Sequence, residues 1–148
     1  MKHLVQPSIK IPYRTYPNSG NILWPIVELQ LATEHSSLTQ PILALVDSGA
    51  SISVLHPIIA EVLGFNPRKT EASQQGISAS GMYKSWLFPH VIEVNLYGYT
   101  FFRRFTIIDN SSFLWPCILG EDSIFEVAGI DFRKFKGFFE VRFRQDIN

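Results

Sequence analysis

One acidic residue at the end of an apolar run limits this chain more than any other feature: Leu45-Val46-Asp47-Ser48-Gly49-Ala50-Ser51. The apolar residues from Ile42 to Val46 read as a buried strand. A carboxylate left unpaired beside such a strand is costly, or has its pKa raised. Ser48 and Gly49 are small and turn-prone, so the chain can bend there and present Asp47 at a surface or cleft. A carboxyl held on a tight turn at the margin of a core is suited to acid–base chemistry.

At 148 residues the chain is expected to form one domain with a hydrophobic core that needs no metal or disulfide. An apolar content of 46% against 18% charged residues fits a folded protein. Thirteen basic residues balance thirteen acidic ones, which leaves no electrostatic footprint for nucleic acid. Arg103-Arg104 and Arg133-Lys134 are expected on solvated faces. Cys117 is the only cysteine, so an intrachain disulfide and a cysteine metal site are excluded. In its apolar setting, Leu114 to Leu119, it reads as a small hydrophobe. The four histidines show no ligand spacing, and neither a metal nor a cofactor is expected. No signal segment and no apolar run near the ~20 residues of a membrane span is seen, so a cytoplasmic protein without a membrane partner is the expectation. Without a signal segment, the glycosylation pattern Asn110-Ser111-Ser112 carries little meaning.

Along the chain, residues 1–21 with Pro7, Pro12 and Pro17 read as an extended N-terminal arm, and 22–148 as the domain. Trp24 to Leu31 and Pro41 to Val46 read as two strands of a hairpin that delivers Asp47 to its tip. Ser51 to Leu55 reads as a further strand. Pro57 to Leu63, opened by proline and stopped by Gly64, predicts a short helix, with His56 leading into it. The small, polar stretch Thr70 to Ser80 predicts a hairpin tip. Val91 to Leu96 and Tyr99 to Ile108 predict a hairpin around Tyr97-Gly98. Glu121 to Ala128, opened by acidic residues and closed by Gly129, predicts a second helix with Asp122 in a capping position. Phe139, Val141 and Phe143 alternate with Glu140, Arg142 and Arg144 as a terminal strand. Trp24, Trp86 and Trp115 are expected in core or pocket wall.

Three of these segments together resemble the retropepsin-like aspartic proteases, the single-lobe relatives of the pepsins. Leu45 to Ser51 is similar to the family's apolar-apolar-Asp-Thr/Ser-Gly-Ala signature. The hairpin around Gly76-Ile77-Ser78 stands where the family has its flap, and Ile118-Leu119-Gly120 matches the apolar-apolar-Gly element before its C-terminal helix. The resemblance spans roughly residues 22 to 144.

The resemblance implies a mostly β fold, a closed barrel with one or two short helices. It also implies peptide hydrolysis by a water activated between two carboxyls. Two carboxyls about 3 Å apart cannot both ionise easily, so they share one proton and act as base and acid; their titration belongs to the pair. Only Asp47 of the five aspartates is followed by Ser-Gly, so a second copy of the chain must supply the other carboxyl. In this reading Asp47 is catalytic, and Ser48, Gly49, Ala50 and Ser51 shape its loop. Gly76, Ile77 and Ser78 cover an extended polypeptide substrate, while Ile118, Leu119 and Gly120 brace the site. Ile52, Ile77 and Ile118 would favour apolar side chains beside the scissile bond. The family's terminal strand lies in the dimer contact. Viral members carry Asp where this chain has Ser51 and Arg where it has Glu121, so their ion pair is impossible here, while a Ser51–Glu121 hydrogen bond stays conceivable. The alternative reading is a peptide-binding module on the same fold that does not cut.

Overall fold

Period-two alternation and turn chemistry account for most elements of the computed structural model, which describes residues 6–72, 74–78, 81–110 and 115–147. The strands are β1 Ile9–Pro12, β2 Arg14–Thr15, β3 Leu23–Trp24, β4 Ile26–Ala32, β5 Ile42–Val46, β6 Val54–Leu55, β7 Gln74–Ser78, β8 Gly81–Leu87, β9 Ile92–Leu96, β10 Tyr99–Arg103, β11 Thr106–Asp109, β12 Cys117–Leu119, β13 Ala128–Arg133 and β14 Phe138–Phe143. Two short helices, α1 Pro57–Val62 and α2 Ile124–Val127, complete the set. Tyr97 and Gly98 join β9 to β10 with φ of 51° and 86°, the left-handed pair that a two-residue hairpin turn requires.

Nine strands form one sheet in the order β10-β9-β4-β5-β12-β6-β11-β8-β7, and β1-β14-β13 form a second. The expected closed barrel is corrected here: β10 and β7 are the edges of the described nine-stranded sheet and do not pair with each other. The mostly β architecture with two short helices stands. Leu29, Leu31, Val94 and Ile107 from the large sheet, with Phe88 and Phe105 from the segments beside its strands, meet Phe139, Val141, Phe143 and Ile11 from the small one in a single buried core. Cys117 lies fully buried in that core, and desolvation pushes its thiol pKa far up, so it packs as a small apolar residue.

Four local expectations change. Part of the stretch expected to be a bare arm pairs with the terminal strand, Ile9 opposite Val141 and Ile11 opposite Phe139, because Ile11 has an apolar partner to bury against. The strand expected over Ser51–Leu55 shrinks to Val54–Leu55, since the preceding residues turn around Asp47. The second helix is only Ile124–Val127, and Gly129 lies inside β13 rather than ending a helix, because β14 recruits Ala128–Arg133 into a ladder. The terminal strand β14 is flanked on both sides by strands of its own chain. Leu114, the residues Ser111-Ser112 of the glycosylation pattern, and Ser73 and residues 79–80 of the expected hairpin tip lie outside the described residues. Among the described residues, no helix is long and apolar enough to cross a membrane.

α1 begins as expected. His56 is its N-cap, and its Nδ1 accepts the Ile58 N–H at 3.2 Å. Burial lowers the His56 pKa below its ordinary 6.5, an effect that Asp109 opposes and Arg68 reinforces. A depressed histidine pKa contributes stability above about pH 6.5 that is lost as pH falls through the folded value, when protonated Nδ1 stops accepting. Urea midpoints should therefore fall between about pH 7.5 and 5.5, by on the order of 0.5 kcal/mol for this half-exposed cap. His56→Asn, whose side chain caps without titrating, should flatten that part of the profile.

Candidate active site

The turn that carries Asp47 is built by two neighbours of β5. β4 runs antiparallel to it, and β12 runs parallel on its other side, with Leu119 beside Val46. The Val46 N–H donates to the Pro25 carbonyl, and the Asp47 N–H donates to the Leu119 carbonyl at 2.9 Å. Asp47 thus stands at the open end of the β4–β5 hairpin, beside Pro25, and not at its tip as expected. Past it the chain turns: Gly49 N–H donates to Asp47 Oδ1 at 2.9 Å, and Ala50 N–H to the Asp47 carbonyl at 3.2 Å. Asp47 and Ala50 are half-buried, whereas Ser48, Gly49 and Ser51 are exposed. One carboxylate oxygen is thereby oriented by the loop's own backbone, and Oδ2 is left to meet a proton or a water.

Residues 118–123 form the base of this loop. Ile118 pairs with Leu45 and with Val54, and Leu119 is fully buried. Glu121 N–H donates to the Ala50 carbonyl at 2.8 Å. A Cβ on Gly120 would sit 2.5 Å from the Ala50 oxygen and 2.8 Å from the Ile52 oxygen, so only glycine fits against the loop. Ser53, fully buried, accepts the Gly120 N–H at 2.9 Å and donates to Asp122 Oδ1 at 2.6 Å. Its oxygen also lies 2.6 Å from that of Ser123. With the Ser53 proton on Asp122, Ser123 must be the donor of that last contact, and the Ser53 hydroxyl is fully used. Asp122, expected as a helix cap, therefore serves as an acceptor that ties the two loops together. Ser51 and Glu121 make no hydrogen bond with each other among the described residues. Ser53→Ala strips these partners of their shared group and should cost about 1–3 kcal/mol in a denaturant titration.

The structure brings Asp47–Ser51 and Ile118–Gly120 together, whereas Gly76, Ile77 and Ser78 lie apart from them on the edge strand β7. β7 pairs with β8, and Ile77 is 83% exposed. Gly76 lies against the ring of Tyr83, which a Cβ would meet at 2.8 Å. A hollow of about 660 Å³ is lined by Ile52, Gln74, Tyr83, Trp86, Leu87 and Ile108, among others. Ile52, 41% exposed, connects that hollow to the loop five residues after Asp47.

Trp24 and Trp115, expected in core or pocket wall, are half-buried and meet in a cluster with Tyr16 that the sequence reading did not foresee. Continuing the β4–β5 ladder one step past Pro25 sets Trp24 across from Asp47. Trp24 meets Trp115 edge-on with centroids 5.7 Å apart, and Tyr16 lies against Trp115 at 4.3 Å. The Trp24 indole nitrogen is buried without a hydrogen-bond partner among the described residues. The aromatic immediately before Pro25 was the available signal. No group of three or more His, Cys, Asp or Glu side chains among the described residues could hold a metal ion.

A family model described as aspartyl protease matches residues 35–121. No curated protein matches. A crystal structure of a retropepsin-like aspartic protease from Rickettsia conorii superposes with a TM-score of 0.58 at 16% identity, covering 97% of each chain, a likeness of fold. EIAV protease in complex with an inhibitor gives a TM-score of 0.49 at 18% identity, over 76% of this chain and 93% of that one. The retroviral protease-like domain of Ddi1 from Leishmania major gives 0.46 at 22% identity, over 68% of this chain and 76% of that one.

Proposed function

The chain belongs to the aspartyl protease family and has a retropepsin-like fold, and from that premise we propose that it is an aspartic endopeptidase working as a homodimer. The observation that carries this reading is the held carboxyl. Asp47 ends a buried strand, one oxygen engaged by Gly49 N–H, on a loop clamped by Gly120 and Glu121.

In the dimer each copy contributes one Asp47. One carboxylate takes a proton from a water whose oxygen bonds to the peptide carbonyl carbon, while the protonated mate gives its proton to the carbonyl oxygen. Collapse of the resulting diol breaks the C–N bond: the leaving nitrogen takes the proton held by the pair, and a diol hydroxyl returns one to it, leaving an acid, an amine and the singly protonated pair. Ser48 and Gly49 shape the loop where the copies meet. Gly76, Ile77 and Ser78 form a lid, and an extended polypeptide binds beneath it by adding main-chain hydrogen bonds. Ile52, Ile77 and Ile118 favour apolar side chains beside the scissile bond.

The test is digestion of a mixed peptide library between about pH 3 and 7, at protein concentrations high enough to dimerise. Cuts flanked by apolar residues are expected. A folded, dimeric protein that leaves the library intact would shift the assignment to a peptide-binding module on this fold.

A further inference from the structure

We propose that the β13–β14 hairpin tip docks on anionic lipid bilayers, Phe135 entering the interface while Lys134 and Lys136 meet the headgroups. The inference does not depend on the proteolytic reading.

Phe132 to Phe139 holds four phenylalanines, two lysines and one arginine, and no acidic residue. Three of the rings pack within the fold. Phe139 is fully buried, and Phe132 stacks on it with centroids 6.1 Å apart. The half-buried Phe138 lies under Lys10, whose Nζ is 4.2 Å from its centroid. Phe135 is different. It is 85% exposed, more than any other described large apolar side chain, and Ile77, which follows it at 83%, belongs to the proposed lid. An aromatic ring held in water gains by entering an apolar layer. The similar run Phe101 to Phe105 is spent inside the molecule: Phe101 and Phe105 are buried, and Arg103 pairs with Glu126.

The fold holds the Phe135 ring out. Lys134–Lys136 is one turn of 3₁₀ helix, closed by the Gly137 N–H donating to the Lys134 carbonyl at 2.9 Å. Gly137, at φ 81°, takes the left-handed conformation that leads the chain into β14. Its carbonyl accepts the Tyr13 N–H at 3.0 Å, which ties the turn to the end of β1. Lys134, Phe135 and Lys136 are all exposed. Ring and cations therefore share one braced projection, and docking needs little further ordering of the backbone.

Charge selects the partner. Arg133 is held by Asp131 at 2.9 Å, and Lys10 faces Glu140 across the β1–β14 ladder. Lys134 and Lys136 pair with no carboxylate among the described residues, so the tip is cationic. A cationic rim around a protruding aromatic ring suits the boundary between headgroups and acyl chains. Nucleic acid would ask for a longer basic track along its phosphates, which a chain of balanced charge does not supply. A protein partner would need far more apolar area than one ring. The expected absence of a membrane partner rested on the lack of a spanning segment, which contact at the surface does not require.

The experiment sediments the full chain with vesicles of phosphatidylcholine containing about 30% phosphatidylserine, or of phosphatidylcholine alone. The protein should pellet with the first and not the second, and high salt should release it. Phe135→Ser should weaken binding at least about fivefold, and Lys134→Gln combined with Lys136→Gln at least about tenfold. Phe135→Trp should bind as the parent does, its added indole fluorescence quenched by brominated acyl chains. These positions are exposed, and circular dichroism should match the parent in every variant. A protein that ignores the anionic vesicles overturns the proposal. Binding that survives all the tip substitutions also overturns it, by placing the contact on another face. Retention of a single-stranded oligonucleotide in place of vesicles would assign the tip to nucleic acid instead. A Phe135→Ser chain with an altered oligomeric state would assign it to contact between copies.

Discussion

Asp47→Asn should lower kcat/KM on any cleaved peptide by at least about 10³-fold while leaving the fold intact. An amide can neither take a proton from water nor share one with a mate across 3 Å, so both roles of the pair fail together. The structural role survives, because asparagine keeps an oxygen where Asp47 Oδ1 accepts the Gly49 N–H. Unfolding midpoints should therefore differ by no more than about 0.5 kcal/mol from the parent. Measuring hydrolysis and urea denaturation on the same preparation separates the two roles. A variant that cuts at near-parental rate would show that the chemistry lies elsewhere.

Gly120→Ala should be nearly as damaging by a different route. The added Cβ meets the Ala50 oxygen at 2.5 Å, the Ile52 oxygen at 2.8 Å and the Ile52 carbonyl carbon at 3.1 Å. All three are backbone atoms, so no side-chain rotation relieves the contact and the Asp47 loop itself must move. A cost of about 3 kcal/mol is expected, with a loss of around 10²-fold in kcat from misplacing the carboxyl. Gly49→Ala is a useful contrast, because its Cβ would meet only Asp47 Oδ1, at 3.2 Å. If Gly120→Ala proved as stable and as active as the parent, the clamp between residues 50–53 and 120–123 would not be what holds the site.

What could be read from the sequence is what local chemistry dictates. Pro57 and Gly64 bracket α1, Tyr97-Gly98 turns β9 into β10, and Phe139, Val141 and Phe143 alternate because one face of β14 is buried. Asp47 stood out because an acid after an apolar strand needs a reason. The misreadings share a nonlocal cause. Glu121 and Asp122 look like the start of a helix. The Glu121 amide is instead committed to Ala50, and the Asp122 carboxylate to Ser53, 69 residues away. Gly129 looks like a helix stop until Phe138–Phe143 draws it into a strand. The aromatic contact of Tyr16, Trp24 and Trp115 joins three segments whose meeting no periodicity foretells. The closed barrel came from resemblance, and strand order corrects it.

The Asp47 N–H bonded to the Leu119 carbonyl also bears on the order of events during translation. A nascent chain that has exposed only its first hundred residues holds the signature segment and its β4 partner but none of the contacts from residues 117–123. The parallel partner β12, the glycine clamp and the Ser53 acceptors are all still to be made. β1 waits longer, until β14 arrives. An incomplete polypeptide therefore lacks the long-range contacts that hold the Asp47 loop in the finished fold.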